Sequence, residues 1–110
     1  MRKCKLKIND KEYTLELTRD SIKWLEAYGF DLEKFNERPV TYYDLLWNSL
    51  FIQNHKDVNP SLALKLMESY QDMGKNPAQI VKFAIEEYQS FINALADIDS
   101  TSEELEIIES

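Results

Sequence analysis

The stretch Thr41–Lys56, TYYDLLWNSLFIQNHK, decides how the rest of the chain must be arranged. Set at about 100° per residue, Tyr42, Tyr43, Leu45, Leu46, Trp47, Leu50, Phe51 and Ile52 take up well over half the circumference of a helix. An ordinary surface helix carries a narrower apolar stripe. A helix this apolar is either wrapped by its own domain or offers one face to a partner. The density of aromatics favours wrapping, because large exposed apolar patches are rare. Thr41 with Asp44 three residues on predicts a weak capping box at the helix start, and Pro39 closes the segment before it. Asn48 and Ser49 interrupt the apolar surface, as a narrow wet edge or an interhelical hydrogen bond. The helix is expected to end near Asn54–His55.

Toward the N-terminus the period changes to two. Cys4, Leu6 and Ile8 alternate with Lys3, Lys5 and Lys7, and Tyr13, Leu15 and Leu17 alternate with Glu12, Thr14 and Glu16. That pattern on both sides of Asn9-Asp10 predicts a hairpin with one buried face. A two-residue loop sets Lys7 opposite Glu12 and Lys3 opposite Glu16; a four-residue loop preserves the same faces, so the register stays open. The apolar face needs a cover, since an isolated hairpin is marginal in water. Thr18 then caps a helix over Arg19–Tyr28, with Gly29 at the left-handed position after it and Phe30 as its apolar contact. Asp31 starts a single turn, Leu32–Asn36.

Toward the C-terminus, Asn59-Pro60 and Asn76-Pro77 are two cap-then-proline starts. The first opens a helix with Leu62, Ala63, Leu66, Met67, Tyr70 and Met73 on one stripe, Leu64 off it, and Gly74 at its end. The second opens a helix from Pro77 to about Ala96 with Ile80, Val81, Ala84, Ile85, Tyr88, Phe91, Ile92 and Leu95 on one arc and Phe83 outside it. The expected fold is α+β, mainly α. An N-terminal β-hairpin packs on a bundle of about four helices in one domain, residues 1–96, followed by an acidic, flexible tail, 97–110, with a short helix there from Thr101 or Ser102 at most.

A chain of 110 residues can bury a proper core without disulfides or metals. Its single cysteine, Cys4, excludes an internal disulfide framework and fits a reducing compartment. The start, MRKCKLKIND, has charges but no apolar run after them, so no signal peptide is expected, and no stretch is apolar enough to span a bilayer. The net charge of −7 is uneven: Asp97, Asp99, Glu103, Glu104, Glu106 and Glu109 lie in the last stretch with no base, leaving 14 acids against 13 bases before it. Nucleic-acid binding is therefore not expected. Arg2, Lys3, Lys5 and Lys7 read as a solvated strand face.

Catalytic and metal-binding patterns are missing. His55, the one histidine, reads as a helix-end residue favourable to the dipole, and Cys4 as a small core hydrophobe. Nothing in the spacing brings the two together. Two glycines cannot build a phosphate loop. Asp97, Asp99 and Thr101 start a calcium-loop pattern, but Ser102 stands at the required glycine and Ile108 at the bidentate glutamate. Glu86 and Glu87 fall on the polar side of the last helix. Neither an enzyme nor a cofactor site is expected. Binding remains: Trp24, Tyr28, Tyr42, Tyr43, Trp47 and Phe51 exceed what one small core usually needs. Leu64 and Phe83, outside their stripes, either pack against the hairpin or are exposed anchors for another chain.

Three stretches carry a resemblance: KINDKEYTLELTR (Lys7–Arg19), YGFDLEKF (Tyr28–Phe35) and LLWNSLFIQNHK (Leu45–Lys56). Over about Lys5–Lys56 the chain resembles a family of small phage and prophage proteins of Firmicutes, regarded as tail assembly chaperones of phages with long flexible tails. The resemblance implies a mainly helical protein with an N-terminal hairpin, working in the cytoplasm of the bacterial host and absent from the mature virion. It further implies that the partner is the tape measure protein, kept soluble while tail tube subunits are recruited, with self-association left open. Many such proteins are made in two forms, the longer by a ribosomal frameshift, which would place the divergence near Asp97. A helical client would enter an apolar groove beside the central helix, lined by Tyr43, Trp47 and Phe51 with Phe83 or Leu64 at its edge. Two rival readings are a structural tail component, such as a completion or connector protein, and an acidic inhibitor or nucleic-acid mimic acting through residues 97–110.

Overall fold

The hairpin turns on two left-handed residues, Asn9 (φ 51°) and Asp10 (φ 68°). Positive φ at both central positions is the type I′ requirement, and its twist matches that of the strands it joins. β1 (Lys3–Ile8) and β2 (Lys11–Glu16) therefore pair in the two-residue register, Lys7 opposite Glu12 and Lys3 opposite Glu16. Leu6, Ile8, Tyr13 and Leu15 are buried on one face, while Lys3, Lys5, Lys7 and Glu12 face solvent. A computed structural model describes the backbone of residues 2–109 and the side chains of residues 2–95.

The helices are α1 (Arg19–Ala27), α2 (Pro39–Ser49), α3 (Pro60–Asp72) and α4 (Ala78–Glu109), with a 3-10 turn, Leu32–Glu37, between α1 and α2. The architecture is the expected hairpin on a helical bundle. α1 opens on a reciprocal cap: Thr18 Oγ1 accepts the Ser21 N–H at 3.2 Å, and Ser21 Oγ accepts the Thr18 N–H at 3.1 Å. It closes in a Schellman turn, with the Gly29 N–H on the Glu26 carbonyl and the Phe30 N–H on the Leu25 carbonyl. Gly29 and Gly74 both sit at φ +79°, so each ends its helix where a side chain would strain the backbone. Asn59 Oδ1 caps α3 through the Leu62 N–H at 2.8 Å, and Pro60 occupies its first position.

Both ends of α2 differ from the sequence expectation. The helix begins at Pro39, whose missing N–H costs nothing at the first position, so Thr41 lies inside the first turn and caps nothing. It ends at Ser49, not near Asn54–His55, and Leu50–Asn54 continue as turn. Two hydrogen bonds account for the early stop. The Leu50 carbonyl accepts the Glu16 N–H of β2 at 3.2 Å, and Ser49 Oγ bonds back to the Leu46 carbonyl at 2.7 Å. The Ser49 hydroxyl is thus satisfied within its own helix, neither at a wet edge nor across to another.

α2 is the centre of the core. Leu46, Trp47, Leu50 and Phe51 have no exposed surface, enclosed by the hairpin and the other helices. The Trp47 indole N–H donates to the Ala63 carbonyl of α3 at 2.8 Å, which satisfies the one polar atom of the largest buried side chain. Aromatic rings extend from it in contact: Phe51 at 5.6 Å, Tyr70 at 5.9 Å, and Tyr13 against Phe51 at 5.6 Å. Along α4, Ile80, Val81 and Ala84 complete the core, whereas Ile92 and Leu95 of the same arc are exposed. The α4 backbone continues as helix beyond the expected end at Ala96. The side chains there, and with them the expected flexible tail, lie outside the described residues.

Candidate interaction surface

Where α2 meets α3, Asn48, Leu45 and Thr41 lie beside Pro60 and Leu64. Farther along, Tyr43 and Val40 lie beside Gln71. The two helices are thus antiparallel, and a shallow depression opens at each stretch of the seam. The walls are mostly apolar. Val40 is 72% exposed and Leu64 39%, with Tyr43, Leu45 and Phe35 half-buried around them. Asp44 lines both depressions and is the one charged residue in α2. No described residue hydrogen-bonds or ion-pairs with its carboxylate. Burial raises the Asp44 carboxyl above its ordinary value, and burial followed by the Asp44 charge does the same to the Tyr43 phenol.

The five residues expected at a groove are not brought together. Tyr43 and Leu64 do lie on this face. Trp47 and Phe51 are 0% exposed and offer no surface to another molecule, because the largest aromatics of the chain fill its core. Phe83 is half-buried on α4 beneath Arg2, whose guanidinium carbon stands 5.3 Å from the ring centroid. It lines neither depression. Val40, which the sequence reading places in no element, lies in the first turn of α2. Its signal was present, an apolar residue directly after a proline that can open a helix.

His55, Asn54, Arg2 and Glu87 are engaged in hydrogen bonds that tie elements of the fold together. His55 lies past α2, and its Nε2 accepts the Thr14 N–H at 3.0 Å, so it serves the edge of the hairpin and not the end of a helix. Beside it, Asn54 Nδ2 donates to the Thr14 carbonyl at 3.3 Å and to Glu16 Oε1 at 3.0 Å. The α2 exit thereby occupies the outer edge of β2, which would otherwise present unpaired backbone groups. Burial pushes the Cys4 thiol up, away from the thiolate form. Arg2 and Glu87 also correct the sequence reading. Glu87 is buried, and its carboxylate accepts the Arg2 backbone N–H at 2.8 Å and Nε–H at 3.0 Å, so neither residue belongs to a plain solvated face. Among the described residues no three His, Cys, Asp or Glu side chains form a group that could hold a metal ion, and no helix is long and apolar enough to cross a membrane.

No curated protein and no solved structure matches the chain. A family model does, over residues 1–109. The chain therefore belongs to the family described as a domain of unknown function, DUF5055.

Proposed function

We propose that this protein is a binding protein of the phage tail assembly chaperone type. It holds a long helical client, the tape measure protein, against the α2–α3 face and brings tail tube subunits to it during tail morphogenesis. One observation carries the reading. The core is closed around α2, yet the adjoining seam keeps Val40 and Leu64 exposed beside two apolar depressions. Apolar surface that the domain does not need for its own stability is what a client helix packs against. The resemblance of Lys5–Lys56 to the chaperone family supplies the identity of the client, the host cytoplasm as the place of action, and absence from the finished virion. This role calls on no chemistry from His55, whose Nε2 accepts the Thr14 N–H, or from Cys4, whose thiol is pushed up by burial.

The test is affinity purification of the tagged protein from a phage-producing host, with partners identified by mass spectrometry. The wild type is expected to recover the tape measure protein, and a Val40→Asp/Leu64→Asp variant with an unchanged melting curve to lose it. Recovery of mature tail parts instead makes the protein a structural tail component. Recovery of a nucleic-acid enzyme, abolished by deleting residues 97–110, makes it an acidic mimic.

A further inference from the structure

Asp44 is the odd member of the α2–α3 face. Every other residue lining the two depressions is neutral, and Leu45, Pro60 and Leu64 lie to one side of it with Phe35, Val40 and Tyr43 to the other. A half-buried carboxylate of this kind is tolerable while water still reaches it. Covering it with a purely apolar partner would strand a charge, which is among the costliest things an interface can do. We propose that the α2–α3 face selects an amphipathic helix of a partner protein that carries one arginine or lysine between apolar residues a turn to either side, the cation pairing with Asp44. The inference rests on the helical-client reading above and narrows it to a class of client segment.

Three features support the charge requirement. Asp44 has no donor or cation among the described residues, so a partner's cation displaces nothing. Its carboxyl is already raised by partial burial, so further covering without a cation would neutralise it or expel the partner. The surroundings are apolar and antiparallel-helical, so an incoming helix can lie along the seam with its anchors in the two depressions. A second copy of this chain is a poor occupant through its C-terminal stretch. Residues 97–110 carry six acids and no base, the wrong sign for Asp44.

Two stapled helical peptides, identical except for arginine or glutamine between two leucine anchors, test this by fluorescence anisotropy. The wild type is expected to prefer the arginine peptide about ten-fold, the scale of one charge-assisted contact, and less as salt is added. Asp44→Asn is expected to abolish the preference, weakening the arginine peptide and, with no charge left to strand, strengthening the glutamine peptide. Leu64→Asp is expected to weaken both peptides. Equal binding of the two peptides by the wild type, or a preference that survives in Asp44→Asn, overturns the charge selection. If equal binding is also lost in Leu64→Asp, the helical-client face still stands without it. Binding of neither peptide overturns the proposal and removes the docking face with it.

Discussion

α2 and α4 carry apolar repeats of the same kind and meet opposite fates. On α2 the pattern ends inside the molecule, with Leu46 and Trp47 at 0% exposure and Leu50 and Phe51 equally enclosed just beyond. On α4 the cover thins along the helix. Val81 and Ala84 are buried, Ile85, Tyr88 and Phe91 are half-buried, and Ile92 and Leu95 are 41% and 39% exposed. From Ala84 to Leu95 is only about 16 Å at the helical rise, so the change takes place within three turns. Periodicity tells which side of a helix is apolar. It says nothing of where the neighbouring elements stop.

Mutation separates the two helices most sharply at their largest and outermost residues. Trp47→Ala removes a fully buried side chain, its bond to the Ala63 carbonyl and its contacts with Phe51 and Tyr70. It is expected to cost about 3–5 kcal/mol and to leave little native protein on heating. Leu95→Ala, in the same apolar arc but exposed, is expected to stay within about 0.5 kcal/mol. Chemical denaturation of both variants checks the contrast. Similar losses would mean that the far end of α4 is packed as tightly as α2.

A smaller effect is expected where α2 gives way to the hairpin edge. His55→Ala leaves the Thr14 N–H without its acceptor and loosens a ring packed 5.0 Å from Tyr13. A loss of about 1 kcal/mol is expected, with hydrogen exchange at the Thr14 amide rising more than at Leu6 or Tyr13 inside the ladder. If the Thr14 amide stays as protected as before, the α2 exit is not what guards this edge. His55→Gln should restore part of the protection, because its carbonyl can accept the same proton.

What the sequence made legible, and what it hid, follows the range of the interactions. The hairpin, the capped start of α3 and the glycine-terminated ends of α1 and α3 are written in residues a few positions apart, and all were readable. The end of α2 was not, because it depends on a Glu16 N–H reaching the Leu50 carbonyl from a distant strand. Glu87 was misread for the same reason, since the group that makes its burial tolerable is Arg2, 85 positions away. The site was half legible. Leu64 is marked by falling off its stripe, whereas Tyr43 is named only among the surplus aromatics, and its half-exposed position on α2 is visible in the structure alone. Trp47 and Phe51 were chosen for size, and size is what the core claims first. Asp44 entered only as a weak capping partner, and its isolation among neutral residues needs the α3 side of the seam to be seen.

The smallest expected effect tests that isolation directly. Partial burial raises the Asp44 carboxyl, so the folded chain binds this proton more readily than the unfolded chain does. The ionised form therefore opposes folding at neutral pH, and the opposition fades as the pH falls through the folded-state value. Solvent reaches the carboxylate, which limits the penalty to about 0.5 kcal/mol or less. Asp44→Asn is expected to raise the melting temperature slightly at neutral pH, with the gain shrinking toward zero as acid protonates Asp44 in the wild type. A melting temperature that falls instead would reveal a stabilising partner for Asp44 within the chain. The carboxylate would then be a structural group, like Glu87, and the contrast between a closed core and an open, charge-marked seam would lose its central residue.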